Sequence, residues 1–204
     1  VYVEQLYTWG SVDRDPRTRV ISCSYMSLVD SSRLQIRAGA GAWEAKWFKV
    51  NCDVEEEKKT LIKDGYVFQN RVKLTLSSDD VTLSAIIHNQ KRMQGRQKTS
   101  KHFIVRNNGI AFDHALVIQY GIERLRNKIE YTDIVFNLMP KYFSLTELQQ
   151  VYEVILGKEL LKANFRRKIS DMVIETDHVK KNEGHRPSRL YTFNSCWRAN
   201  DFDI

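Results

Sequence analysis

The sequence of 204 residues has the composition of a globular protein, with 42% hydrophobic and 28% charged residues. Its net charge of +7 favours an anionic partner, and its three widely separated cysteines indicate neither a disulfide framework nor a zinc site. No apolar run approaches the roughly 20 residues of a membrane helix, and no signal peptide is visible. We therefore expect a reduced, cytoplasmic protein without a membrane partner.

Three strands are predicted in the first 50 residues. The segments 1–10, 19–29 and 42–50 are rich in β-branched and aromatic residues and are separated by polar stretches. Because the chain opens directly in such a segment and lacks an initial Met, we expect it to start inside a domain.

The loop "DRDPRTR" joins the first two predicted strands. Its arginines, Arg14, Arg17 and Arg19, alternate with aspartates around a proline. They are candidate ligand-binding residues, because a guanidinium group can bind a phosphate through two hydrogen bonds. The competing interpretation is a loop held together by its own salt bridges, and the sequence leaves both open.

The middle of the chain combines predicted strands with two charged segments. "NCDVEEEKK" is interpreted as a solvated turn, because three consecutive glutamates would splay apart on a helix and could not share a metal. Residues 65–89 read as two strands joined at Ser77–Asp80. Residues 91–106 hold six Lys or Arg and no acid, which predicts a basic loop or hairpin arm.

A first amphipathic helix is predicted after Asp113, which is a good N-cap residue. Apolar residues follow at helical spacing, as expected for a helix with one face in a core. These residues are Ile118, Ile122, Leu125 and Ile129.

A second helix is marked by a capping box, with Ser144 at the N-cap and Glu147 at the third helical position. Gly157 ends this helix. A third, basic helix follows, and a strand, a polar turn and another strand end the pattern. This order of helix, turn, helix and basic hairpin is that of a winged helix-turn-helix, whose second helix enters the major groove of DNA.

The third helix has one apolar face, and Arg167 points directly away from it at 100° per residue. Cations of the hairpin suit phosphates or the minor groove. A solvated helical face explains the same pattern, because the positive excess from Lys158 to Tyr191 is only four and Asp171 lies on the exposed face. The candidate DNA-binding residues are Asn164, Arg166, Arg167 and Ser170 on the helix, with Lys180, Lys181, Arg186 and Arg189 on the hairpin.

The segments "LMPKYFSLTELQQVYEVILGKEL", "NFRRKI" and "HRPSRLYTF" resemble the C-terminal winged helix of NrtR-type, Nudix-related transcriptional regulators. "EQLYTWGSVDRDPRTRVISCSYMSLV", "AKWF" and "IAFDHALVIQYGIERLRNKI" resemble the second half of that family's Nudix-like domain. The resemblance implies an α+β protein, a partial Nudix-like α/β/α sandwich followed by a winged helix-turn-helix. The implied domains are residues 1–137, with an insert at about 51–108, and residues 138–204.

The same resemblance implies a metabolite-responsive bacterial transcriptional regulator, normally a cytoplasmic homodimer. Its partners would be double-stranded operator DNA and a small effector, either nucleotide-like, of the ADP-ribose type, or a sugar. Relatives often carry an acidic N-cap where this chain has Leu161, and a basic residue where it has Ala163. Base contacts therefore do not transfer directly from the family.

The Nudix box, G-x5-E-x7-R-E-x2-E-E-x-G, does not occur in this sequence and in the family would precede Val1. Hydrolysis needs its glutamates to hold a divalent metal near a pyrophosphate. We therefore expect no catalytic residue, no metal ligand and no cofactor in this chain, with Mg²⁺ only if a Nudix box lies upstream. Two alternatives remain open: a Nudix hydrolase of the ADP-ribose pyrophosphatase type with an appended winged helix, and an interaction module whose winged helix binds protein.

Overall fold

The structure, a computed structural model, describes residues 2–29, 34–39, 43–180 and 187–197. Their contacts divide the chain into two compact units. The sheet unit comprises residues 5–25 and 35–122, and the C-terminal unit comprises residues 2–4, 26–34 and the chain from 123 onward. The domain boundary predicted between residues 137 and 138 falls inside the C-terminal unit and stays a prediction.

The first two predicted strands are confirmed. β1 (Tyr2–Trp9) and β2 (Ser22–Leu28) form a two-stranded sheet. The strand predicted over residues 42–50 is wrong, because regular pairing begins only at Lys49. The Lys46 ammonium contacts Glu44 and Asp80 instead, and Trp47 is exposed. The aromatic residues that favoured a strand therefore do not pack in a sheet.

A four-stranded antiparallel meander dominates the sheet unit. It consists of β3 (Lys49–Ile62), β4 (Gly65–Ser77), β5 (Thr82–Gln94) and β6 (Gln97–Asn108), in that spatial order. The two predicted strands of residues 65–89 and the basic hairpin arm of residues 91–106 are thereby confirmed. The solvated turn predicted at "NCDVEEEKK" is wrong: the segment lies within β3 and pairs with β4, with the register shifting between Val54 and Glu56.

The core of the sheet unit lies on one face of this meander. Alternate residues of β4 are buried, as expected for a strand with one face in a core. The opening turns of α1 (His114–Lys128) pack against them. The buried cluster is Cys52, Val72, Leu74, Leu76, Ala85, Ile87, Ile110 and Ala115, with Ile118 and Ile122 against it.

The C-terminal unit has the predicted order of a winged helix. After a short 3-10 helix (Ile134–Leu138) come α2 (Leu145–Leu156), α3 (Lys162–Ile169), β7 (Val173–Lys180) and β8 (Ser188–Phe193). β7 and β8 pair as an antiparallel hairpin. Residues 181–186, where the sequence predicted a polar turn and which include Lys181 and Arg186, lie outside the described residues.

The ends of α2 are set by the residues that the sequence indicated. The Ser144 hydroxyl accepts the Glu147 backbone N–H at 3.2 Å, and the Glu147 carboxylate accepts the Ser144 N–H at 2.8 Å. Gly157 adopts the left-handed conformation at φ 68°, which costs glycine little. The predicted capping box and helix end are confirmed.

Helices α2 and α3 share one apolar core with the segments around them. Leu148, Tyr152, Phe165 and Ile169 are almost completely buried. The core also contains Ile129, Val135, Phe143 and Met172. Within the described ranges, none of the helices is long and apolar enough to span a bilayer.

Candidate nucleic-acid interface and arginine loop

Helix α3 is fixed in rotation by one aromatic contact and one aliphatic anchor. Phe165 packs edge-on against Tyr152, with ring centroids 5.3 Å apart. Ile169, one turn later, is fully buried. Because both anchors lie on one face, the opposite face of the helix is presented to solvent with a defined set of side chains.

The four residues predicted to contact DNA from α3 are all exposed. Three of them lie within the helix, and Ser170 is its C-cap residue. Arg166 and Arg167 are both exposed, and among the described residues neither forms an ion pair with an acidic side chain. The Ser170 hydroxyl donates to the Arg167 carbonyl at 3.0 Å. Asn164 lies one turn towards the helix start. DNA contact by these residues stays a prediction, but their placement allows it.

The two described cations of the hairpin are paired with carboxylates. Lys180 Nζ lies 2.7 Å from Glu147 Oε1, and the Arg189 guanidinium contacts the Glu175 carboxylate. All four side chains are at least a third exposed, so these pairs are weak. A phosphate can replace either carboxylate at low cost.

The pKa of Glu147 is shifted because its carboxylate both caps α2 through Ser144 and pairs with Lys180. Burial raises the pKa of its carboxyl group, but the Lys180 ammonium and the N–H and hydroxyl of Ser144 outweigh this effect. Its pKa therefore lies below the ordinary value, and the side chain is ionised at neutral pH.

Sequence reasoning missed a second cluster beside these cations. The rings of Tyr142 and His178 lie in contact, tilted by 56° with centroids 4.3 Å apart, and Lys141 Nζ lies 5.3 Å from the Tyr142 ring. All three side chains are exposed. The cluster joins the segment before α2 to β7, two segments far apart in the chain, so no local pattern reveals it. Only the basic and aromatic pair before the capping box could have pointed to it.

The arginine loop is anchored to the start of α1. Arg14 donates from Nε to Asp113 Oδ2 at 2.9 Å and from Nη2 to Asp113 Oδ1 at 3.1 Å, and Nη1 donates to the Ser22 hydroxyl. The Arg14 side chain is only 7% exposed. Asp113 does precede the helix, as predicted for an N-cap, and its carbonyl accepts the first helical N–H groups. Its carboxylate, however, binds Arg14.

The other two arginines of the loop differ in the groups that they contact. Arg19 donates to the carbonyls of Gly10 and Ser11. Arg17 is 72% exposed, pairs with Asp15 and stacks over the Phe112 ring at 4.8 Å. Hydrogen bonds from the side chain and backbone of Arg17 lower the pKa of Asp15 to about 2. The contacts of the loop favour the salt-bridged interpretation for Arg14, whereas the exposed Arg17 can still contact a ligand.

A metal site is not formed by the described part of the chain. No group of three or more His, Cys, Asp or Glu among these residues could hold an ion. The described residues therefore do not fit the Mg²⁺ that Nudix chemistry requires.

Residues 135–193 match the family model of the NrtR DNA-binding winged helix domain. The chain is also 49% identical over 86 residues to the ADPR responsive transcriptional repressor NtrR of Acinetobacter baylyi. That alignment covers 41% of this chain and 34% of the relative, so the match spans about a third of the curated relative's length.

Solved structures extend the similarity over nearly the whole chain. A MutT/nudix family protein from Enterococcus faecalis matches with a TM-score of 0.59 and 22% identity, covering 94% of this chain and 60% of that one. Shewanella oneidensis NrtR, crystallised with a 27mer DNA, matches with a TM-score of 0.54 and 25% identity, covering 95% and 64%. The predicted combination of a Nudix-like α+β fold and a winged helix is thereby confirmed. The C-terminal unit of this chain therefore contains a segment similar to the NrtR DNA-binding winged helix, and the chain as a whole shares the fold of NrtR and Nudix-family proteins.

Proposed function

We propose that this chain belongs to a bacterial transcriptional repressor that binds operator DNA through its winged helix and responds to a nucleotide-like effector of the ADP-ribose type. The observation that carries the proposal is the match of residues 135–193 to a DNA-binding domain. Within this segment, α3 exposes Arg166 and Arg167, and neither forms an ion pair with an acidic side chain among the described residues. The curated relative, a repressor responsive to ADPR, supports the same function.

Helix α3 is the element that would read the bases. With Phe165 and Ile169 held in the core, the exposed face can enter a major groove without rearrangement. Arg167, at the centre of that face, can grip guanine through two hydrogen bonds. Arg166 and Asn164 flank it, and an Asn side chain can pair with adenine in the same way.

The hairpin and the cluster before α2 would hold the phosphates. Lys180 and Arg189 exchange a carboxylate for a phosphate oxygen, and Lys181 and Arg186 add charge in the segment between the strands. Lys141 extends this basic surface. Contacts of this kind position the protein on the duplex without reading sequence.

The sheet unit would bind the effector near the arginine loop. Arg17 is exposed and is bound within the loop only to Asp15, whereas Arg14 is bound to Asp113 and the exposed Arg19 donates to two loop carbonyls. A sugar remains the alternative effector. The repressor would act as a homodimer in the cytoplasm, where its DNA lies.

The alternative of a Nudix hydrolase is the weaker one. The curated relative is named a repressor, and the similar Shewanella NrtR was crystallised with DNA. The interaction module is weaker for the same reasons, and salt-sensitive DNA binding would argue against it directly.

Selection of DNA from a random pool by the full-length protein tests the proposal. We expect enrichment of one operator sequence, and a change in the retained fraction when ADP-ribose is added. Inosine monophosphate is the control, because it shares a ribose phosphate but lacks the second sugar. Failure to enrich any sequence, with or without ADP-ribose, would contradict the function proposed here.

A further inference from the structure

The four-stranded meander has two outer strands, β3 and β6, and both are long. β3 runs for 14 residues, and in the described ranges its outer edge has no partner strand. All but two of its residues are exposed. A long open edge presents unpaired N–H and C=O groups and is a template for pairing with another strand.

The other open edge is protected against pairing with itself. β6 carries Lys98, Lys101 and Arg106 and contains no acid. Two β6 strands placed side by side would bring these cations together, and like charges across strands are destabilising. Charged side chains of one sign are a common means of blocking an edge.

The outer strand β3 has the opposite property, because its charges are self-complementary. Residues 54–61 read Val-Glu-Glu-Glu-Lys-Lys-Thr-Leu, with acids in the first half and cations in the second. An antiparallel copy of the same strand, centred on Lys58, therefore places Glu57 of each copy opposite Lys59 of the other. Val54 and Leu61, at the two ends, are 48% and 81% exposed, so a second strand on this edge would cover apolar surface at both ends of the contact.

The register with β4 shows which side chains could meet. Glu57, Lys59 and Leu61 lie on one face, opposite alternate residues of β4, and the shift after Val54 returns that residue to the same face. A two-fold axis that passes beside Lys58, perpendicular to the sheet, leaves the same face of both sheets on the same side of the combined sheet. It pairs Glu57 with Lys59 of the second copy and Val54 with Leu61 of the second copy.

At the centre of this pairing, the two Lys58 side chains can be accommodated. Lys58 meets Lys58 of the second copy on the opposite face of the sheet. Glu56 lies on that face two residues away, so each Lys58 has a carboxylate of the other copy at a diagonal position. Diagonal neighbours across strands are within reach of long side chains.

We infer that β3 pairs antiparallel with β3 of a second copy of this chain, joining two four-stranded sheets into one of eight strands. The contact is isologous and closes with two copies, as most homo-oligomers do. Backbone hydrogen bonds supply the affinity, and the charges fix the register. This inference rests on the homodimer proposed above and names the surface that forms it.

Charge reversal in the full-length protein tests the register, by sedimentation without DNA. Glu57→Lys alone and Lys59→Glu alone each place like charges together twice in a dimer, so each should raise the dimer dissociation constant about tenfold or more. An equimolar mixture of the two variants should recover dimers, because the cations at positions 57 and 59 of one variant then meet the acids at positions 59 and 57 of the other. Lys98→Glu, on β6, is the matched control and should leave the dimer unchanged.

A cross-link tests the same contact without relying on charge. Lys58→Cys, in a chain whose exposed Cys23 and Cys196 are changed to Ser, should give a covalent dimer on mild oxidation, whereas Lys101→Cys should not. A mixture of the charge variants that stays monomeric, or equal cross-linking at both positions, would overturn the inference. DNA binding is measured separately on a single half-site, so its loss would count against the proposed function and not against this contact.

Discussion

Lys180 Nζ lies 2.7 Å from Glu147 Oε1, so the hairpin of the winged helix is tied to the first helix of the helix-turn-helix. The same carboxylate closes the capping box at the start of α2. Helix α2 and strand β7 are thereby linked through one acidic side chain. If a phosphate took Lys180 away, Glu147 would stay bonded to Ser144 and the helix cap would be kept.

The stability of α2 should depend on pH through Glu147. The folded-state pKa of Glu147 is lowered, so its contribution is complete above the ordinary value of 4.5 and is lost as pH falls through the lower folded value. We expect Glu147→Gln to lower the local stability of α2 by about 0.5 kcal/mol at pH 7, since the pair is partly exposed. Hydrogen exchange of α2 amides in the full-length protein measures this at matched pH. A difference between wild type and variant that persists undiminished however far the pH is lowered below 4.5 would contradict the assignment.

The cluster before α2 should contribute phosphate contacts. Lys141→Ala should weaken binding to operator and scrambled duplexes alike and flatten the log–log salt dependence by about one unit. If a dimer makes about eight phosphate contacts, the wild-type slope is about −7. Fluorescence anisotropy over a salt range of roughly 50 to 200 mM provides the measurement. Lys63→Ala, on the β3–β4 turn, is the control, and an equal change there would show that the effect is only one of net charge.

Two substitutions in the arginine loop should have different effects, one on stability and the other on effector binding. Arg14→Ala leaves the Asp113 carboxylate, itself only 15% exposed, without its partner, and should cost about 2 kcal/mol of stability. Arg17→Ala removes an exposed side chain and should leave stability within about 0.5 kcal/mol while weakening the effector about tenfold. Urea unfolding and calorimetry with ADP-ribose distinguish the two. Equal loss of stability in both variants would show that Arg17 is structural as well.

Sequence patterns correctly predicted the features that depend on contacts between residues close together in the chain. Ser144, Glu147 and Gly157 set the ends of α2 through contacts within a few residues, and the spacing of Phe165 and Ile169 fixed the face of α3. The winged helix was therefore predictable in its element order and in its exposed arginines.

The remaining features depend on contacts between distant residues. Asp113 is a good cap by type, but a guanidinium 99 positions earlier takes its carboxylate. The segment with Glu55 to Glu57 was predicted to be a solvated turn, because consecutive glutamates splay apart on a helix, yet it pairs with β4 as part of a long strand. The pairing of Lys180 with Glu147 spans 33 residues, which no periodicity can show.

The proposed function depends most on α3 reading DNA through its exposed arginines. Arg167→Ala should weaken binding to the selected operator by roughly 1–3 kcal/mol and relax the preference at one base pair, with little change on scrambled DNA. Lys168→Ala is the matched control, because its ammonium group lies beside the Tyr152 ring and is turned towards the apolar edge. Anisotropy of both variants on operator and scrambled duplexes is the most direct measurement. Unchanged operator affinity in a folded Arg167→Ala protein would show that α3 is only a solvated face and that its assignment as the reading helix is wrong.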